Sequence, residues 1–211
     1  MNNEELPHLG ILIHEPLADQ FINEFAKELS LPSLRVDIKK VDLSGPYNSL
    51  EWAIPTVIGV YIFKTYFETF LKEIAKDHYQ ALKKLLKKIS ENSRQIKART
   101  ITSALSPDKI SKNNSQSKVF SIQIFTKSQS HNIKFLFDEN LSQEMWNDAI
   151  NKMFVLLIDH YNSEQNDILT ITIREENFHR NIWAIINPTT GEWEFYDFRK
   201  VAMENIKRDK K

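Results

Sequence analysis

Residues 54–89 read IPTVIGVYIFKTYFETFLKEIAKDHYQALKKLLKKI, a stretch that starts almost wholly apolar and ends rich in lysine. Three structures compete for it: a membrane span, a helix on a membrane surface, or the core of a water-soluble fold. The uncharged run covers only residues 52–63, whereas a spanning helix needs about 20 mainly apolar residues. A longer span would place Lys64 and Glu68 near its centre, at about 2.5–3.5 kcal/mol for each charge. The pattern therefore favours a soluble core.

The first part of this stretch, TVIGVYIF at 56–63, is dominated by β-branched and aromatic residues. An apolar run of this length is typical of a strand that is buried on both faces, and a helix is the alternative that periodicity leaves open. After Lys64 the period changes, and apolar residues recur at helical spacing, which predicts an amphipathic helix over about 65–90. These residues are Phe67, Phe70, Ile74, Leu82, Leu85 and Ile89.

The segment before it predicts a strand, a helix and a second strand: LGILIH at 9–14, PLADQFINEFAKEL at 16–29 and LRVDIKKVD at 34–42. This order is typical of a βαβ unit, whose two strands normally run parallel. The Gly-Pro and Asn-Ser content of residues 43–49 predicts a loop.

The second half of the chain reads as rich in strands. Strands are predicted at 98–105, 119–126, 132–138 and 167–175, a polar loop at 106–118, and a terminal hairpin at 181–198 around NPTTG. One helix, at about 141–161, interrupts them, with Ser142 as its cap. We therefore expect an α/β or α+β fold with a mixed sheet. No clean linker separates the halves 1–95 and 96–211, so a single domain over 1–211 is predicted.

Composition excludes several chemistries. The chain has no cysteine, which removes disulfides and thiol catalysis. Its four glycines are not spaced for a dinucleotide fingerprint or a phosphate-binding loop, and no G-x-S-x-G or H-E-x-x-H motif occurs. We expect no cofactor and no metal, and these absences leave open whether the protein is an enzyme.

Charge is distributed unevenly, although the formal net charge is +0. Residues 72–118 carry twelve Lys and Arg against four Asp and Glu, while residues 135–176 carry nine acidic residues against two basic ones. Such a basic segment predicts a surface for a protein partner or for nucleic acid. The alternative is a solvated helix whose charge is balanced by acidic segments of the same fold. The candidate binding residues are Lys83, Lys84, Lys87, Lys88, Arg94 and Lys97.

A second candidate site follows from topology. If the strands at 9–14, 34–42 and 56–63 were parallel neighbours, their carboxyl ends would meet in one crevice. That crevice would gather catalytic candidates for acid–base chemistry on a polar small molecule: His14, Glu15, Asp42, Lys64 and Glu68. In the alternative structure His14 and Glu15 only begin the following helix, and Lys64 pairs with Glu68 along the next one.

Three functional hypotheses result. The leading one is a cytoplasmic binding or regulatory module that acts through protein or polyanion contacts, and the Asn-, Lys- and Ile-rich composition favours a bacterial source. The second is an enzyme that acts on a nucleotide-like or other polar small molecule at the N-terminal crevice. The third is a membrane-associated effector that uses residues 52–71, although the charges within that stretch argue against a membrane partner.

Overall fold

The computed structural model describes residues 6–42, 56–70, 76–97, 115–163 and 166–197. These residues form a seven-stranded sheet in the order β2-β1-β3-β4-β5-β6-β7. The strands are β1 Leu9–His14, β2 Val36–Val41, β3 Ile58–Ile62, β4 Gln116–Phe125, β5 Asn132–Asp138, β6 Asn181–Ile186 and β7 Trp193–Asp197. Parallel pairs (β1 with β2, β3 with β4, β5 with β6) alternate with antiparallel ones. The predicted mixed sheet is confirmed.

Strand β3 contains the apolar run that was predicted at 56–63. It lies between β1 and β4, and its Ile58, Val60 and Ile62 side chains are at most 2% exposed. The prediction of a buried strand over 56–63 is therefore confirmed. Phe67 is also buried, so the apolar side chains of this stretch belong to the hydrophobic core. Within the described residues, no helix combines the length and the apolarity that crossing a membrane requires.

The helices of the described segments pack against one face of this sheet. Leu9, Ile11 and Ile13 of β1 and the matching residues of the other strands form one buried cluster with the apolar sides of the helices. Helix α1 lies against β1 and β2, α3 lies between α1 and α4, and α4 reaches β7. The helices are α1 Glu15–Leu29, α2 Lys64–Phe70, α3 Lys76–Ser93, α4 Gln143–Asn162 and α5 Ile168–Glu175.

The prediction of one helix over about 65–90 is wrong, because the structure has two helices there, α2 and α3. The Tyr66 hydroxyl donates a hydrogen bond to the backbone oxygen of His78, at 3.3 Å. In a single straight helix, residues twelve positions apart are separated by about 18 Å along the axis, which no tyrosine side chain spans. Helices α2 and α3 are therefore not collinear, because the rings of Tyr66, Phe70 and His78 pack together between them. Residues 71–75 lie outside the described part.

The strand predicted at 167–175 is wrong, because this segment is helix α5. Asp167 caps the helix by accepting a hydrogen bond from the Thr170 backbone N–H, at 3.0 Å. The described part of the C-terminal half thus carries two helices, α4 and α5, where one was predicted. The predicted loop at 106–118 ends earlier than expected, since β4 already begins at Gln116. The predicted strand at 98–105, the loop at 43–49 and the basic tail fall outside the described residues.

Candidate functional site

The predicted N-terminal crevice does not form as one site. Strand β1 is parallel to β2 but antiparallel to β3, so that Leu9 pairs with Ile62 and Ile13 with Ile58. His14 and Asp42 therefore lie at one end of the sheet, and the segment that follows β3 lies at the other. The expectation failed because it assumed three parallel strands, and only the first two are parallel.

The crevice candidates have local contacts instead. Lys64 Nζ lies 3.1 Å from a carboxylate oxygen of Glu68, one helical turn away. His14 occupies the N-cap position of α1 without a capping side-chain hydrogen bond, and its Nδ1 lies 3.3 Å from the backbone oxygen of Val41. Glu15 is the first residue of that helix. The alternative foreseen for Lys64 and Glu68 is thus the one observed.

The basic helix α3 brings part of the second candidate set to the surface, but Lys88 faces helix α1. Its Nζ lies 3.0 Å from a carboxylate oxygen of Glu28 and 5.1 Å from the centre of the Phe25 ring. The Lys88 hydrogen bond is the main reason that the pKa of Glu28 is lowered. Lys88 therefore helps to dock α1 on α3.

Arg94 also has an internal role. Its guanidinium donates a hydrogen bond to the backbone oxygen of Leu141, at 2.7 Å, and lies 4.8 Å from the centre of the Trp146 ring. These contacts join the end of α3 to the start of α4. Lys97 follows the end of α3 and is exposed.

Three neighbouring lysines remain, and we call Lys83, Lys84 and Lys87 the lysine surface. Among the described residues, no carboxylate lies within 4.0 Å of their Nζ atoms, whereas Lys40, Lys64, Lys88 and Lys152 all have such a partner. Lys84 is exposed and the other two are half-buried. Burial and the charge of Lys87 lower the pKa of Lys83. The lysine surface thus concentrates positive charge that the described fold does not balance.

Three histidines form a second group. At the sheet end where β4 and β7 finish, His131, His160 and His179 lie on or beside neighbouring elements. The Nδ1 of His179 lies 2.7 Å from a carboxylate oxygen of Asp197, whose side chain is fully buried. No set of three metal-binding side chains is found in the described ranges. Each of these histidines has a hydrogen-bond contact within the described residues.

A polar row crosses the opposite face of the sheet, and sequence reasoning missed it. The strand registers place five side chains next to one another on the face that the described helices leave free. We call them the Lys134 row: Tyr61, Gln123, Lys134, Trp183 and Tyr196. The signal in the sequence was the polar half of the alternation in SIQIF and NIKFLFD.

Comparison with known proteins adds no relative: no family model matches the chain, and no curated protein or solved structure shows significant similarity to it.

Proposed function

We propose that the protein is a binding module whose lysine surface contacts an acidic segment of another protein. The observation that carries the proposal is the set of three adjacent lysines without an ion pair among the described residues. Lys83 and Lys87 are one helical turn apart, where like charges destabilise a helix by about 0.2–0.5 kcal/mol. A carboxylate-bearing partner would remove this repulsion on binding.

The dimensions of the lysine surface favour an acidic peptide over a nucleic acid. Lys83 and Lys87 are separated by about 6 Å along the helix axis, which matches one short acidic segment. Asp77 and Glu91 lie on the same helix on either side of the lysines. A phosphate backbone that ran along α3 would approach both carboxylates. The formal net charge of +0 also provides no general attraction for a polyanion.

The test is a titration of the protein with a fluorescently labelled deca-glutamate peptide, with a 20-nucleotide single-stranded DNA as the competing probe. The variant is Lys83→Gln/Lys84→Gln/Lys87→Gln. The matched control changes the same charge at other surface positions, in Lys27→Gln/Lys39→Gln/Lys127→Gln. Both variants are measured at 50 and 200 mM salt, because exposed charges are screened at the higher concentration.

The proposal expects the peptide to bind the wild type and the control, and to bind the lysine-surface variant at least fivefold more weakly at 50 mM salt. Equal loss in both variants would show a non-specific charge effect and would reject the site. Tighter binding of the single-stranded DNA, with a salt slope that falls by about 0.7 per lost phosphate contact, would replace the acidic peptide with a nucleic acid. A cytoplasmic and bacterial setting stays a prediction from composition.

A further inference from the structure

A histidine and a buried carboxylate meet where the loop before β6 approaches the end of β7. His179 lies between α5 and β6, and Asp197 is the last residue of β7. One carboxylate oxygen of Asp197 lies 2.7 Å from the Nδ1 atom of His179 and accepts a hydrogen bond from the backbone N–H of the same residue, also at 2.7 Å. The Asp197 side chain is fully buried, so a carboxylate that water does not reach holds both the backbone and the ring of His179.

This contact fixes which nitrogen of the His179 ring carries the proton. A carboxylate accepts hydrogen bonds, so the Nδ1 atom carries the N–H and donates it to Asp197. In the neutral ring, the Nε2 atom therefore holds an unprotonated lone pair. This nitrogen has no hydrogen bond to any described residue, and the His179 side chain is 53% exposed. A basic nitrogen is thus presented to the solvent in a fixed orientation.

The pair of His160 and Asp167 shows what distinguishes this arrangement. There the same contact between Nδ1 and a carboxylate is made at 3.0 Å, but the Nε2 atom accepts a hydrogen bond from the Lys127 backbone and the histidine side chain is only 6% exposed. Packing explains a buried histidine whose two nitrogens are both in hydrogen bonds. It does not explain why a buried carboxylate orients the exposed ring of His179.

An imidazole in this arrangement is a nucleophile as well as a base. Its exposed lone pair attacks an electrophile, and the carboxylate behind the ring stabilises the positive charge that develops on the imidazolium. The next residue, Arg180, is exposed, and its guanidinium has no hydrogen bond or ion pair with any described residue. Consecutive Cα atoms are only about 3.8 Å apart, so this long side chain reaches an anionic group at His179. A guanidinium matches the charge and geometry of a phosphate, which makes a phosphoryl group the electrophile that fits.

We propose that His179 is a modification site that accepts a phosphoryl group on Nε2 from a small activated phosphodonor, an acyl phosphate or a phosphoramidate. The Nε2 lone pair forms the N–P bond while the bond from phosphorus to the leaving oxygen or nitrogen breaks. The leaving group takes that electron pair and departs as a carboxylate, or as ammonia from the N-protonated phosphoramidate. The Nδ1–H stays on the ring and continues to donate to Asp197. The site does not depend on the proposed function, because His179 follows α5 and the lysine surface belongs to α3.

The test incubates the full chain with potassium phosphoramidate or with acetyl phosphate near neutral pH. Phosphorylation of each histidine is followed by mass spectrometry under alkaline conditions, in which phosphohistidine survives. The variants are His179→Gln, Asp197→Asn and Arg180→Gln. The matched control is Asp167→Asn, which removes the carboxylate of the other histidine pair. The wild type unfolded in urea is the reference for a histidine without a carboxylate partner, so the main comparison requires no variant to fold.

The proposal expects His179 to react fastest among the histidines of the folded chain, with at least one of the two donors, and to react faster than it does in urea. Phosphorus NMR should show the Nε2 product alone, and nitrogen NMR of the unmodified ring should show its proton on Nδ1. Asp197→Asn should slow the reaction by about tenfold or more, because the amide lacks the charge that stabilises the imidazolium. Asp167→Asn should leave the rate at His179 unchanged, and His179→Gln should remove the fast reaction.

Equal rates at His179 in the folded and the unfolded chain would overturn the site, as would no reaction with either donor. A ring proton on Nε2, a product on Nδ1, or an unchanged rate in Asp197→Asn would overturn the role assigned to the carboxylate. Arg180→Gln should raise the donor concentration that gives the half-maximal rate, and an unchanged concentration would overturn the contact between Arg180 and the phosphoryl group.

Discussion

The Nδ1 atom of His160 lies 3.0 Å from a carboxylate oxygen of Asp167, and this buried contact joins helix α4 to the first turn of α5. The other ring nitrogen of His160 accepts a hydrogen bond from the Lys127 backbone N–H, at 2.9 Å. The Nδ1 atom of His160 therefore carries the ring proton, and this N–H donates a hydrogen bond to the Asp167 carboxylate. Because both ring nitrogens of His160 are in hydrogen bonds, the pair of His160 and Asp167 stabilises the packing of α4 against α5, and neither nitrogen is available as a catalytic base.

Acid should weaken the contact between Asp167 and His160. Burial alone would raise the pKa of Asp167, but hydrogen bonds from Thr170 and His160 outweigh it and lower the pKa in the folded state. A lowered folded-state pKa gives stability that is present above the unfolded value of about 3.9 and is lost as the pH falls through the folded value. We expect the wild type to lose stability more steeply below pH 4 than Asp167→Asn, which keeps an N-cap side chain.

The measurement is urea unfolding of both proteins between pH 2 and pH 7. At pH 7, Asp167→Asn should cost about 1.5–3 kcal/mol, because it removes hydrogen bonds to a charged group. Parallel loss of stability in the two proteins below pH 4 would contradict the role assigned to Asp167.

A charge at Phe67 should unfold the protein. The Phe67 side chain is 2% exposed, and its ring stacks on that of Tyr161 with centres 4.0 Å apart. A buried charge without a partner costs several kcal/mol, against a typical total stability of about 5–15 kcal/mol. Phe67→Asp should therefore lack a cooperative unfolding transition, whereas Val155→Asp, at a position that is 66% exposed, should stay within about 0.5 kcal/mol of the wild type. Circular dichroism in urea distinguishes the two, and a folded Phe67→Asp protein would refute the packing described for α2.

Helix α5 shows where local sequence patterns were insufficient. The β-branched residues of DILTITIRE predict a strand, yet Leu169 is fully buried and Ile173 packs against the same core from the next turn of a helix. Packing at a spacing of four thus overrides β-propensity, which is a weak and context-dependent preference. Asp167 was a signal of the helix start that the sequence did contain.

The directions of the strands could be predicted only in part from the sequence. The run at 56–63 indicated a buried strand from its composition, and the order of strand, helix and strand correctly predicted that β1 and β2 are parallel. Nothing in residues 43–55 indicates whether the next strand returns parallel or antiparallel, and this direction separates His14 from Glu68. The Lys134 row was hidden for the same reason: alternation shows that Gln123 and Lys134 avoid the apolar side of their strands, but only the register makes them neighbours.

The lysines of α3 should differ in their effect on stability. Lys88→Gln should lower the free energy of unfolding by about 0.5–1 kcal/mol, because it loses the pair with Glu28 and the contact with Phe25. Lys84→Gln should change it by less than about 0.5 kcal/mol, since Lys84 is exposed. Urea unfolding of Lys88→Gln, Glu28→Gln and the double variant checks the pair directly. Additive losses would show that Lys88 and Glu28 are not coupled.

Lys134 should react as an amine at unusually low pH. Only the neutral amine is acylated, and with the pKa lowered to about 8 half of the Lys134 side chains are neutral at pH 8. An ordinary lysine, with a pKa of about 10.4, is then less than about 1% neutral. Acetylation by trace acetic anhydride, followed by mass spectrometry from pH 6 to pH 11, should give Lys134 a midpoint near pH 8 in the folded protein. The same residue in urea should return to the ordinary midpoint.

The same shift has a consequence for stability that can be checked independently. Between pH 8 and pH 10 the unfolded chain binds the Lys134 proton and the folded chain does not, so the contribution of Lys134 to the free energy of unfolding rises with pH. Lys134→Met removes this contribution, and its free energy of unfolding should rise less across that interval than that of the wild type. A folded-state acetylation midpoint near pH 10, together with the same pH profile of unfolding in both proteins, would show that the amine is fully hydrated. In that case Lys134 would behave as an ordinary surface lysine.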